Sequence, residues 1–361
     1  MFRSFFRSRR YFWWAYLGGL VILVGLLLQV EMAVWFNQWE REFWNLIQKA
    51  VEQIARGEMD KLQELAPQFW HYGLTLVFSL VLPSIALGSL FGYVTGLYMF
   101  TWRQAMTLDY INRWKKIGGK IEGASQRIQE DTGNFARNLE DLGIQFVRAV
   151  MTLVTFLPIL WNLSSSVNLG FMKNVPGSLV WIALSASLGG IIISWFVGIM
   201  LPRLEYNNQK KEAEFRKQLV YGEDNRLNLS VPELVQRFEE IKINYFRMIK
   251  HFLYFNVWMG VFGSCMYYVP LFLIGFGALT GVASLGVMKQ ALNIFAQVNS
   301  SFSLFVYNWT RVTYLRSIFI RLREFERYLD ECERQESTNN KEEKQVLVRD
   351  NLIYFPSPNT R

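Results

Sequence analysis

The chain has 361 residues, 51% of them hydrophobic and 16% aromatic, with 38 Lys+Arg against 30 Asp+Glu for a formal net charge of +8. Two cysteines, Cys265 and Cys332, exclude a disulfide framework and a cysteine-based zinc cluster. The positive charge would suit nucleic acid, but it is segregated between long apolar stretches, which points to a membrane and sets nucleic-acid binding aside.

A helix needs roughly 20 mostly apolar residues to cross a bilayer. Six stretches meet that requirement, at 12–36, 72–100, 143–164, 178–201, 252–279 and 285–312, several of them flanked by Trp or Tyr such as Trp13, Trp35, Trp70 and Trp161. The first follows a basic N-terminal segment. It is too long for a signal peptide and has no small-residue cleavage site, so an uncleaved span is expected. Residues 37–70 carry Phe43, Leu46, Ile47, Ala50, Val51 and Ile54 at helical spacing, punctuated by Gly57 and Pro67. They are expected to form a periplasmic cap or interfacial helix.

Residues 101–142 are polar and helix-permissive, with a break at Gly118-Gly119. Residues 202–223 continue helically past the fourth stretch. A new helix is expected at Ser230-Val231-Pro232-Glu233, with Ser230 as N-cap and Glu233 as its reciprocal partner. It runs through Phe238, Ile241, Tyr245 and Met248 into the fifth span. The tail starts as a helix after 315, and residues 331–361, with Pro356 and Pro358, are expected to be a partly disordered cytoplasmic tail.

Orientation follows from the cations. The segments before the first span, at 101–142, at 202–251 and after 315 carry 30 Lys/Arg, whereas 37–71 and 165–177 carry 5. The positive-inside rule therefore places both termini and the two long polar segments in the cytoplasm. The expected fold is an all-α integral membrane protein of about six transmembrane helices with long cytoplasmic extensions, 1–330 forming a single transmembrane domain.

At about 100° per residue, Glu205, Glu212 and Glu223 fall within about 20° of one another and span roughly 27 Å of helix. Carboxylates with like-charged neighbours and partial desolvation have raised pKa values and can exchange protons near neutrality. A stripe of this kind can bias two global states through protonation. The same three residues equally suit a solvated helix face, with Arg203, Lys210, Lys211, Arg216 and Lys217 as ion-pair partners. Glu214 lies on the opposite face, and Glu130 and Glu140 belong to the preceding polar segment.

Arg148, about two turns into the third span, either snorkels to the interface or answers Glu140. Asp131 and Gln290 are further cavity or coupling candidates, and Lys289 with Gln290 suits an outer cavity or a helix interface. Phe295, Phe302, Phe305, Tyr307 and Trp309 suit either stacking against cargo or helix packing. Within these 361 residues there is no G-x-x-x-x-G-K-[ST], H-E-x-x-H or G-x-S-x-G pattern and no Cys/His cluster. No enzyme active site and no cofactor are expected.

The runs EGASQRIQEDT (Glu122–Thr132), FVRAVMTLVTFLPIL (Phe146–Leu160), LPRLEYNNQKKEAEFRKQLVYGED (Leu201–Asp224), NYFR (Asn244–Arg247) and IRLREFE (Ile320–Glu326) resemble the SbmA/BacA family of bacterial inner-membrane peptide transporters. The resemblance is continuous from about Trp13 to Asp330. It implies an ABC-exporter-like transmembrane homodimer without an ATPase domain or a required ATPase subunit. It also implies import of peptides, microcins and bleomycin-like glycopeptides on the proton gradient, and a glutamate ladder falling here on Glu130, Glu140, Glu205, Glu212 and Glu223. Where the family carries Glu in RKELVYGED this chain has Gln218, and relatives carry further apolar sequence ahead of the segment equivalent to Tyr11–Phe36. Two other readings stand beside it: the membrane subunit of an ABC transporter with a separate ATPase, and a non-transporting envelope or lipid-handling scaffold.

Overall fold

A computed structural model describes the backbone of residues 1–116, 123–165, 175–224, 230–279, 281 and 283–353. The expected break at Gly118-Gly119 lies outside the described residues. The described chain is helical throughout. A short helix α1 (Phe2–Phe6) precedes α2 (Trp14–Ala55), α3 (Met59–Lys116) and α4 (Ala124–Ser164). Next come α5 (Ser178–Gly198), α6 (Leu201–Asp224), α7 (Val231–Leu279), α8 (Leu285–Phe302) and α9 (Leu304–Ile353).

Among the described residues, five helical segments are long and apolar enough to cross a membrane: α2, α3, α4, α5 with its continuation to Glu223, and α7. The multi-pass reading is thereby shown. The sixth expected span, 285–312, does not join them. The chain breaks at Ser303 between α8 and α9, and α8 carries Lys289, Gln290, Asn293, Gln297 and Asn299 within 18 residues. Those polar side chains lower its hydropathy, and two of them have partners on other helices, Asn293 with Glu40 and Asn299 with Ser187.

The helices outrun any bilayer. At 42 and 58 residues, α2 and α3 extend well past the ~30 Å hydrocarbon core at ~1.5 Å per residue. The 37–70 segment is therefore the continuation of these two helices. They meet at a turn where Gly57 adopts φ +73°, a left-handed conformation that favours glycine. Trp39 donates from Nε1 to the Tyr72 carbonyl at 3.1 Å and Phe43 packs against Phe69 at 5.8 Å, which ties the two together. A π-helical stretch at Leu76–Val81 ends two residues before Pro83, whose missing N–H disturbs the regular ladder.

The chain divides into two compact units. The first comprises Met1–Val24, Leu90–Leu142 and Arg311–Arg361, and the second comprises Gly25–Ser89 and Gly143–Thr310. The first unit's core is aromatic. Phe5 stacks on Trp102 at 5.4 Å, Trp102 meets Phe135 edge-on at 6.3 Å, and Tyr110 meets Phe325 edge-on at 5.5 Å. Around it the Tyr110 hydroxyl donates to Glu326 at 3.0 Å, and Arg113 donates from Nε to Glu333 at 2.7 Å.

The second unit packs on small residues. Ser187, Gly190, Ser194 and Gly198 form a buried stripe on α5, letting helices approach closely as membrane helices do. A Cβ on Gly190 would come within 2.1 Å of the Phe262 ring. Trp258 Nε1 donates to Ser194 Oγ at 2.7 Å, and Ser187 Oγ donates to Asn299 Oδ1 at 2.9 Å. Phe295 is buried in the same core with Phe156, Leu160 and Ile294, so helix packing accounts for it. The side chains of Phe305, Tyr307 and Trp309 lie outside the described residues. Outward faces of α2 and α3 expose Leu20, Val24, Leu27, Phe78, Ile85 and Leu90, as lipid-facing surfaces do.

Candidate functional site

Helix α6 is continuous from Leu201 to Asp224, so Glu205, Glu212 and Glu223 share one face. The opposite side is committed to α7. Leu204 is buried, and its carbonyl accepts from Asn244 Nδ2 at 3.3 Å. Lys211 lies 3.8 Å from Glu240, Glu214 lies 3.8 Å from Arg237, and Gln218 donates to Glu233 at 3.4 Å. The Glu233 carboxylate is thus engaged by Gln218 and Arg237, and α7 begins at Val231 directly after Ser230.

Away from that contact, Glu212 and Glu223 are exposed. Glu205 is half-buried and accepts from Gln209 Nε2 at 3.2 Å. None of the three forms an ion pair among the described residues. Three of their five basic neighbours have other partners: Lys210 with Glu214 at 3.9 Å, Lys211 with Glu240, and Lys217 over the Tyr221 ring at 5.7 Å. The result is a row of carboxylates on one helix face without an ion pair among the described residues.

Glu130, Asp131 and Glu140 belong to the first unit. A π-helical turn at Arg127–Asp131 opens α4, and its carbonyls find side-chain donors. Arg103 Nη2 donates to the Gln129 carbonyl at 3.1 Å, and Thr132 Oγ1 donates to the Ile128 carbonyl at 2.6 Å. Gly133 makes room for this, since a Cβ there would sit 3.0 Å from the Arg103 guanidinium. The turn directs Asp131 inward, where its side chain is 1% exposed. Arg127 Nη1 donates to it at 2.8 Å, and Arg321 donates from Nη2 at 2.7 Å and from Nε at 3.1 Å.

Asp131 precedes the apolar stretch that begins near 143. Burial by itself pushes its carboxyl up, but the hydrogen bonds and charges of Arg321 and Arg127 outweigh burial and hold it below its ordinary value. The Arg321 guanidinium is raised in return, chiefly by its hydrogen bond to Asp131. Asp131 is accordingly a fixed anion at a two-helix joint. Glu130 is exposed and accepts from Gln126 at 3.3 Å, and Glu140 is half-buried against Thr95. The five glutamates are thus distributed over both units, two in the first and three in the second.

Arg148 belongs to the second unit and donates from Nη2 to Gln29 Oε1 at 2.7 Å. Gln290 is buried on α8, with its side-chain carbonyl unpartnered among the described residues. Nearby, Glu40 accepts from Asn293, and Gln48 and Asn45 of α2 accept from the first amides of α8 at 2.8 and 3.1 Å. Sequence reasoning missed Gln29, Thr152 and Gln297, which line a cavity with Arg148. Two amides inside apolar stretches were the available signal. It also missed Arg321 as the partner of Asp131, because no local spacing links residues 190 apart.

Among the described residues, no cluster of His, Cys, Asp and Glu has the geometry to hold a metal ion.

Several known proteins are similar to this chain. The Escherichia coli K12 inner membrane ABC transporter ATP-binding protein YddA is 24% identical over 94% of this chain and 64% of its own length. The chloroplastic ABC transporter D family member 2 of Arabidopsis thaliana is 25% identical over 84% of this chain and 42% of its own length. An ABC transporter ATP-binding protein of Haemophilus influenzae is 23% identical over 88% of this chain and 54% of its own length. The chain therefore spans less than two thirds of each of these relatives. The sequence profile of the SbmA/BacA-like family matches residues 8–330, nearly all of the chain, and with its membrane-length helices this places the protein in the SbmA/BacA-like family.

Proposed function

We propose that this protein is a proton-gradient-driven importer of peptides and peptide-like antibiotics across a bacterial inner membrane. It acts as a homodimer of ABC-exporter-like transmembrane domains, with both termini cytoplasmic, and works by alternating access. Proline-rich antimicrobial peptides, microcins and bleomycin-like glycopeptides are its cargo class, and protons are its coupling ion. The supporting observation is the Glu205/Glu212/Glu223 face of α6, which forms no ion pair among the described residues while Lys210, Lys211 and Lys217 beside it engage other partners.

In this mechanism like-charged carboxylates from two copies repel when ionised, and protonation from the acidic side lowers the cost of bringing them together. Release of protons to the alkaline side restores the repulsion and re-opens the other face. Glu130 and Glu140 serve as further rungs. Uptake of a proline-rich peptide into proteoliposomes, with an inside-alkaline gradient and no nucleotide, tests the reading. Gradient-dependent uptake, abolished by a protonophore and shifted in pH profile by Glu212→Gln, is expected; uptake indifferent to the gradient would sink it.

A second reading is favoured by the ATP-binding names of the relatives: the same membrane domain driven by an ATPase. The same vesicles decide between them, because nucleotide-free uptake on a pH gradient excludes an obligatory ATPase.

A further inference from the structure

The first unit contains a cavity of about 920 Å³ that the carboxylate mechanism does not use. It lies between α1 with the turn after it, the stretch of α3 from Ala105 to Arg113, and the stretch of α9 from Glu326 to Glu333. Its lining carries both signs of charge. Arg3, Arg7 and Arg10 are all exposed, and none forms an ion pair among the described residues. Asp109 is half-buried on α3, with no hydrogen bond or ion pair among the described residues. Neither of its carboxylate oxygens is shut off from solvent. The other acids of the cavity are already answered: Glu326 accepts from the Tyr110 hydroxyl at 3.0 Å, and Asp330 and Glu333 share Arg113. Burial pushes the Asp109 carboxyl up, and the charge of Arg113 offsets this only in part.

Open guanidiniums and an open carboxylate in one cavity suit a ligand that is itself two-signed, a phosphate linked to an ammonium. Arginine meets phosphate through a planar fork of donors, and a primary ammonium offers three N–H groups to a carboxylate. Place decides the source of that ligand. Arg10 and Tyr11 line the cavity and run directly into the apolar stretch 12–36. Phe12, Trp13 and Trp14 are exposed beside them, Trp13 at 72%, and Leu17, Leu20 and Val24 are exposed further along the same helix. Exposed aromatic rings mark the headgroup level, and lipid phosphates sit there, outside the hydrocarbon core. Basic pockets at the foot of membrane helices are where lipid headgroups are held.

We propose that this cavity binds the headgroup of phosphatidylethanolamine, with the phosphate on Arg3, Arg7 and Arg10 and the ammonium on Asp109. The acyl chains then run along the exposed face of α2. This goes beyond the peptide-import reading and does not depend on it. The test is binding of dioctanoyl phosphatidylethanolamine, phosphatidylcholine and phosphatidylglycerol to the purified full chain in detergent, followed by native mass spectrometry. The ethanolamine lipid should bind about tenfold more tightly than the choline lipid, whose nitrogen has no N–H to donate.

Asp109→Asn should erase that difference. Arg3→Gln combined with Arg7→Gln, at two exposed positions, should weaken both lipids by about tenfold. Should Asp109→Asn fail to yield monodisperse protein, the wild-type lipid comparison and the arginine variant carry the test. Equal affinity for the ethanolamine and choline lipids, a preference that survives Asp109→Asn, or full affinity in the arginine variant would overturn the proposal. Tightest binding of the glycerol lipid would also overturn it, by reducing the cavity to a general anion surface. Free phosphoethanolamine that binds as tightly as the lipid would assign the cavity to a soluble solute instead.

Discussion

Asp131 in one unit and Glu212 in the other are both carboxylates on long helices, yet the protein treats them oppositely. Asp131 is withdrawn from solvent and clamped by two guanidiniums from different helices. Glu212 is exposed, and the lysines around it are committed to other partners. The contrast separates two uses of acid. A carboxylate with fixed cationic partners contributes to architecture, whereas Glu212 forms no ion pair among the described residues. The packing of the two units differs in the same spirit, an aromatic cluster ringed by ion pairs in the first and a small-residue seam with hydroxyl and amide bonds in the second.

Breaking the Asp131 clamp should have the largest effect. Asp131→Asn leaves Arg127 and Arg321 without their anion and should cost about 3–5 kcal/mol, as expected for one partner lost from a buried ion pair. Thermal unfolding in detergent measures it. Because the folded-state value of Asp131 is depressed, its stabilisation is complete above the unfolded carboxylate's pKa of about 4. It is lost as pH falls through the folded value. The wild type should therefore lose stability on acidification, and Asp131→Asn should show a flatter acid limb.

The seam of the second unit comes next. Gly190→Val drives a side chain into Phe262 and should destabilise by about 1–3 kcal/mol. Gly189→Val, where a Cβ meets nothing within 4 Å, should change stability by no more than about 0.5 kcal/mol. A similar loss for both would show that helix propensity, rather than the Phe262 contact, governs the seam. Ser187→Ala removes the donor to Asn299 and should cost about 1 kcal/mol.

The smallest stability effect is expected where the functional effect is greatest. Glu212→Gln breaks no described ion pair and should leave thermal stability within about 0.5 kcal/mol of the wild type. Its signature is a displaced pH profile of peptide uptake. A large drop in melting temperature would place Glu212 with Asp131 among structural anions and erase the contrast.

Much of this was legible in the chain itself. Runs of apolar residues marked five membrane-length helices, because length and hydropathy are local quantities. The seven- and eleven-residue spacings put Glu205, Glu212 and Glu223 on one face, because helical periodicity is local too. The sixth expected span shows where local reading stops. Residues 285–302 alternate apolar and amide side chains, and their standing depends on partners such as Glu40, Asn45 and Gln48 far away in sequence. The Arg148 reading stopped at the same limit. Snorkelling and pairing with Glu140 were the two local options, and the structure adds a hydrogen bond to Gln29 on another helix.

Sequence alone determined most of the helical segments, the five stretches apolar enough for a bilayer, where the acids lie along each helix, and the family. Tertiary structure decided which charges are answered. An ion pair between residues 131 and 321, a shielded amide at 29 and a phenylalanine ring against Gly190 arise from helices meeting in space, and no one-dimensional pattern encodes the distance between them.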